Sequence, residues 1–271
     1  MIFELDKSRY DLVRPLFAGL RYNLVIDSVL DGNTIGQVYV DDLAAPGAVL
    51  LWNRQDALLL AGAALDSAFN HELGELITEI IVPDARSRYI PELSLFYQPE
   101  AWEDKIDVIL PGLQLHKAKR RLYVLDKLKI DWRPALPPGH EMRRMDGVLL
   151  SSNRLDNLHQ VLGWVRSFWP THQAFVENGF GYCLVHEGTI VSWCLSVYNS
   201  GDDYELGLAT AIDYRRRGYA TLVAAACIEH CKTQNWTPHW HCWDANIGSI
   251  RVAERVGFKD AMHYTVYRFE I

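Results

Sequence analysis

Apolar positions along the chain change period, and each change marks an element. Residues 7–18 place Leu12, Val13, Leu16 and Phe17 at helical spacing, which predicts a helix with that face inward. Two short apolar runs, 48–52 and 57–60, flank Asn53-Arg54-Gln55-Asp56 and predict a hairpin. Residues 71–82 read as a second helix with Leu73, Leu76, Ile77 and Ile80 inward, and 122–125 as a strand. Beyond residue 140 the pattern is more regular. A short strand over 141–145 precedes a helix over 155–168 whose inward face is Leu158, Val161, Leu162 and Val165. Strands over 181–185 and 190–197 meet at His186-Glu187-Gly188, a strong hairpin signal. A strand over 204–212, an apolar helix over 219–231, a strand over 239–243 and a helix over 246–256 closed by Gly257 complete the order. The order β-α-β-β-β-α-β-α is an α/β pattern, and strand–loop–helix steps in such folds are where ligands bind.

Pro134, Pro137, Pro138 and Gly139 interrupt the pattern and predict a linker over 131–140. The expected organisation is an N-terminal α/β domain, 1–130, and a second domain, 141–271. Each half is long enough for its own core. Of the net charge of −7, the residues up to Arg133 carry −5 (15 basic, 20 acidic) and the rest −2 (12 basic, 14 acidic). That balance argues against nucleic acid as a partner, and no apolar run reaches the roughly 18 residues of a membrane span. The acidic start, MIFELDKSRY, is unlike a secretory signal, so a cytoplasmic protein is expected. The five cysteines, all at or after Cys183, include no CxxC pair and read as buried thiols rather than a disulfide framework or a metal site. Trp236, Trp240 and Trp243 read as core packing before an aromatic wall for an acceptor. Lys117, Lys119, Arg120 and Arg121 read as a solvated basic face.

One step carries candidate chemistry. Leu206-Gly-Leu-Ala-Thr210 ends a strand, Arg215-Arg216-Arg217-Gly218 forms a turn, and Tyr219-Ala220-Thr221 opens a helix. Backbone N–H groups at a helix N-terminus converge on one point and suit a pyrophosphate; a solvated basic turn is the plain alternative. Gly218 permits positive φ or a close backbone approach. Arg215 through Ala220 also matches the signature loop of the GNAT superfamily of acyl-CoA-dependent N-acetyltransferases: Gln or Arg, two residues, Gly, one residue, Gly or Ala. A second signature follows, from Asn246 through Ser249 and Ala253 to Gly257-Phe258. The chain resembles that superfamily over roughly residues 140–268, and within it the zwittermicin-resistance-like branch, which has a divergent N-terminal half.

The resemblance implies a GNAT fold, a mixed central sheet flanked by helices, with acetyl-CoA as donor and no metal. The likeness of the 48–60 hairpin to that at 181–197 leaves open a degenerate GNAT-like unit in the first half, which lacks a signature loop. Leu208, Ala209 and Thr210 take the place of the strand that meets the pantetheine arm. Arg215, Arg216, Arg217, Gly218, Tyr219, Ala220 and Thr221 take that of the pyrophosphate loop, and Asn246 and Ser249 that of the next helix. Direct attack of an amine on a thioester needs a base, for which Glu205 and His241 are the candidates. The tyrosine acid usual seven residues after the helix asparagine is replaced by Ala253. The expected activity is acetyl transfer to a primary amine of a small molecule in a ternary complex. A catalytically silent acyl-CoA-binding or sensing module is the alternative.

Overall fold

The computed structural model describes residues 1–64 and 67–271. The chain forms two compact units, residues 1–119 with 264–271 and residues 120–263. In chain order the strands begin with β1 (Phe3–Glu4), β2 (Gln37–Val40), β3 (Ala48–Trp52), β4 (Ala57–Gly62), β5 (Glu92–Gln98) and β6 (His116–Leu125). They continue with β7 (His140–Arg144), β8 (Gly181–His186), β9 (Thr189–Ser200), β10 (Asp203–Thr210), β11 (Thr237–Trp243) and β12 (Phe258–Glu270). The α-helices are α1 (Leu24–Leu30), α2 (Ser67–Glu75), α3 (Val82–Ser87), α4 (Ile106–Ile109) and α5 (Gly147–Leu150), then α6 (Leu158–Phe168), α7 (His172–Asn178), α8 (Tyr219–Gln234) and α9 (Ile247–Val256).

The two units share one strand pattern. In the first, β1 to β4 pair antiparallel in order, β4 runs parallel to β5, and β5 pairs antiparallel with Tyr267–Glu270 of β12. In the second, β7 to β10 pair antiparallel, β10 runs parallel to β11, and β11 pairs antiparallel with residues 120–124 of β6. The β3–β4 hairpin therefore corresponds to β9–β10, one strand along from the 181–197 hairpin it was expected to match. Each unit has its own core. Trp52, Leu58, Leu60, Ile77, Leu95 and Trp102 anchor the first. In the second, α8 and α9 pack Val223, Cys227, Ile250 and Ala253 onto Leu206 and Trp240 of one sheet face. The opposite face is covered by α6 and α7 through Val161, Val165 and Phe175 on Trp193 and Leu195. A mixed α/β fold is thus present.

Several elements differ from expectation for identifiable reasons. Residues 7–18 form two 3₁₀ segments, Lys7–Leu12 and Arg14–Leu20, because Pro15 has no N–H to continue one helix. Val13, Phe17 and Leu20 are buried, while Leu12 is exposed. In the 71–82 region a π turn at Leu76–Ile81 leads into α3, whose second residue is Pro83. The inserted residue rotates the inward stripe, so Ile81 is buried and Ile80 faces solvent. The 131–140 stretch lies within the second unit rather than between units: Trp132 Nε1 and Arg133 Nη1 both donate to Glu229 of α8, at 2.9 and 2.7 Å. Its prolines prevent strand pairing, but its side chains still dock. Strands β1, β2, β5 and β12 and helices α1, α4, α5 and α7 lie outside the elements that the sequence pattern predicts.

Candidate active site

Strands β10 and β11 meet over Asp203–Glu205 and 237–239 and then part, although each runs on. From His239 to Trp243, β11 pairs with β6 on its other edge, and among the described residues β10 keeps only its β9 neighbour out to Thr210. The parting coincides with a β-bulge: Glu205 stands opposite Tyr198, yet Leu206 stands opposite Ser196. An extra residue on one strand increases local twist and ends regular pairing. The strand edge from Leu206 to Thr210 therefore borders a gap rather than a neighbouring strand.

At the C-terminal end of β10 the chain makes a 3₁₀ turn over Ile212–Tyr214 and enters the arginine loop. Arg216 has φ of 62° and Gly218 of 83°, both left-handed. Alternation of this kind turns successive N–H groups toward one side, as in an anion-binding nest. Gly218 is the N-cap of α8 and no side chain caps that end, so the first-turn donors and the positive end of a 16-residue helix face the loop. A cleft of about 770 Å³ lies here. It is lined by Leu208, Ala209 and Thr210 of β10, by Arg215, Arg216, Gly218, Tyr219, Ala220 and Thr221, and by Asn246 and Ser249.

Of the twelve residues expected at a cofactor site, only Arg217 lies outside that lining. Its Nη2 donates to the Asp213 carbonyl at 3.0 Å and its guanidinium sits over the Tyr214 ring. The Tyr219 side chain is buried in the core, leaving its backbone to the cleft. Asn246 Oδ1 accepts from Ser249 N at 3.1 Å and caps α9, which leaves its amide donors for other work. The Ser249 hydroxyl is taken by Trp240 Nε1 at 3.1 Å. Sequence reasoning missed Tyr214, Gly248, Arg251, Val252 and Arg255, which also line the cleft. The two arginines lie four apart on α9, within the span of the second signature but at none of the positions that carry it. No carboxylate is among the lining residues, so the cleft is basic in a chain of net charge −7.

Glu205 and His241 stand elsewhere, outside the cleft lining. Their neighbours Tyr204, Leu206, Trp240 and Cys242 point into the core beneath α8 and α9. Strand alternation therefore turns Glu205 and His241 to the opposite sheet face, on either side of the gap. Glu205 is the direct cross-strand neighbour of Tyr198 and His239, and His239 Nε2 is 2.7 Å from Asp203 Oδ1. Ala253 is fully buried. Trp240 is core, Trp236 stacks on Tyr204 at 4.3 Å, and Trp243 lies under the Arg120 guanidinium. All five cysteines are buried and free. Burial pushes the Cys183 thiol up to about 12, and raises Cys227, Cys231 and Cys242 as well. They stay protonated at neutral pH. Arg121 is not a solvated residue; it bridges Asp244 and Asp260. Among the described residues no group of three His, Cys, Asp or Glu side chains could hold a metal ion, and no helix is long and apolar enough to cross a membrane.

The corresponding step in the first unit is shut. There β4 and β5 stay paired from Ala57 to Ala61 against Ser94 to Gln98, without the early parting of β10 and β11. The buried Trp102 donates to the Gly62 carbonyl at 3.1 Å at the end of that ladder.

The sequence profile of GNAT acetyltransferases matches residues 14–267, nearly the whole chain. The chain belongs to the GNAT acetyltransferase family. As a member it is an N-acetyltransferase, an acyl-transferring enzyme. The match extends well before residue 140, beyond the region in which the sequence motifs lie. Over 264 residues, 97% of both chains, it is 25% identical to the uncharacterised N-acetyltransferase YdfB of Bacillus subtilis (strain 168). The fold is similar to that of a GCN5-related N-acetyltransferase-like protein from Streptococcus suis 89/1591, with a TM-score of 0.72 and 23% identity over 97% of this chain and 98% of that one. It is also similar to a tandem GNAT protein of the clavulanic acid biosynthesis pathway, with a TM-score of 0.62 and 13% identity over 100% and 98%. The GNAT mixed sheet flanked by helices is therefore the fold of this protein.

Proposed function

We propose that this GNAT enzyme transfers an acetyl group from acetyl-CoA to a primary amine of a small molecule, by direct attack within a ternary complex. The observation that carries this reading is the basic cleft, free of carboxylates in its lining, where β10 leaves β11 beside an uncapped helix N-terminus. These groups fit the donor: the amides from Gly218 to Thr221 with Arg215 and Arg216 suit its diphosphate, and the open edge Leu208–Thr210 suits its amide-bearing arm. Asn246 adds a donor from α9. Acetyl-CoA supplies the acyl thioester when bound. The chain's own work is to hold that carbonyl beside the strand edge, where backbone N–H groups stabilise developing negative charge. Glu205 and His241, across the gap, are the candidate bases that take the proton from the incoming ammonium group. The first unit, with its closed β4–β5 ladder, is read as a GNAT-like unit without a donor site of its own. We place the protein in the cytoplasm and in the zwittermicin-resistance-like branch.

The test is a thermal midpoint with and without acetyl-CoA, followed by thiol release across a panel of primary amines. Ligand at 100 times its dissociation constant should add about 2.7 kcal/mol of stability. Turnover should fall about 10²-fold or more when the true base of the pair is neutralised, as Glu205→Gln or His241→Gln. No shift at saturating ligand would overturn the reading. The buried Ala253, in place of an acid, favours a second reading, a silent acyl-CoA binder. Binding without turnover on any amine would select it.

A further inference from the structure

The cleft holds more positive charge than a diphosphate needs. Arg251 and Arg255 line it from α9, four residues apart and so on one face of the helix. Like charges at that spacing repel, and among the described residues neither guanidinium has an ion-pair partner, whereas Arg121 and Arg133 are both paired with carboxylates. The rise of a helix puts Arg255 roughly 13 Å along α9 from Asn246. The two arginines therefore extend the cleft lining well beyond the asparagine cap that starts α9.

We infer that Arg251 and Arg255 form a subsite for a third phosphate, the one on the 3′ position of the donor's ribose, and make the enzyme selective for the 3′-phosphorylated nucleotide. The inference rests on acetyl-CoA as the donor. Two chemical facts favour it. A phosphate dianion accepts from two guanidinium forks at once, and relieves the repulsion between them. The diphosphate is already served by the α8 amides and Arg216, so the α9 pair is left for a separate anion. Nothing in the signature loop encodes this choice, because both residues lie on another element.

Titration calorimetry of coenzyme A and 3′-dephospho-coenzyme A tests it without turnover. The wild type should bind coenzyme A about tenfold or more tightly, the worth of one charge-assisted contact. Arg251→Gln/Arg255→Gln should lose that preference by weakening coenzyme A alone, with 3′-dephospho-coenzyme A unchanged. Arg154→Gln, an exposed site outside the cleft lining, removes a charge and should leave the preference intact. Because the contact is exposed, the preference should shrink as salt is raised. Equal binding of both nucleotides by the wild type overturns the inference, as does an equal loss on both in the double variant. Failure of the wild type to bind either would remove the acetyl-CoA reading and this inference with it.

Discussion

Replacing Gly218 with alanine isolates the backbone geometry of the loop from its charge. Gly218 has φ of 83° and ψ of 0° at the N-cap of α8. An added Cβ there meets nothing within 4 Å, so the cost is torsional and not steric. An L-residue held left-handed costs about 1–2 kcal/mol relative to glycine. At about 2–4 °C per kcal/mol for a domain of this size, the midpoint should fall by about 2–8 °C. Asparagine, which tolerates this region, should fall between glycine and alanine. Affinity for acetyl-CoA should drop further than the midpoint implies, because a loop that relaxes out of the left-handed region turns its N–H groups away from the ligand. Arg216→Gly, at φ of 62°, should show the opposite sign in the apo protein and raise the midpoint while weakening the ligand. Differential scanning fluorimetry with and without acetyl-CoA reads both quantities. A Gly218→Ala protein with unchanged midpoint and unchanged ligand shift would refute the proposition that the left-handed N-cap builds the site.

Two further outcomes concern the half-buried His230 and the buried Ala253 of the second unit. Burial, with Arg144 nearby, holds the His230 imidazole below its ordinary value. The fold therefore favours the neutral imidazole, and its contribution is full above about pH 6.5, then lost as pH falls through the lowered folded value. His230→Phe, which keeps ring packing against Phe180 and Trp236, should flatten the decline in midpoint between about pH 7 and 5; an unaltered decline would assign it to other groups. Ala253→Tyr restores the usual family residue at a position with no exposed surface. It should cost about 1–3 kcal/mol by overpacking and leave kcat no higher; a rise in kcat would mean the ring reaches the reacting atoms.

The sequence by itself determined the loop and the helix starts that border the cleft of the second half. Arg215 to Ala220 and Asn246 to Phe258 are local motifs, and local motifs survive because a loop and a helix start are fixed by neighbouring residues: a glycine for positive φ, an asparagine for a cap. The tertiary structure decided what depended on pairing and on faces. That β10 parts from β11 after Glu205 while β4 stays joined to β5 is a matter of which strands share hydrogen bonds, and residues far apart in the chain settle it. The same holds for Arg251 and Arg255, two plain surface arginines in sequence that fall on the cleft side of α9. Sequence placed Arg217 at the site by its position in the motif, but its contact with Asp213 and Tyr214 takes it out of the lining. Glu205 and His241 are alternative candidate bases in the sequence, and only strand alternation sets both on the sheet face away from α8. Hydrophobic periodicity reports which residues turn inward on an element; which inward faces meet, and where a ladder stops, is decided by packing over long separations.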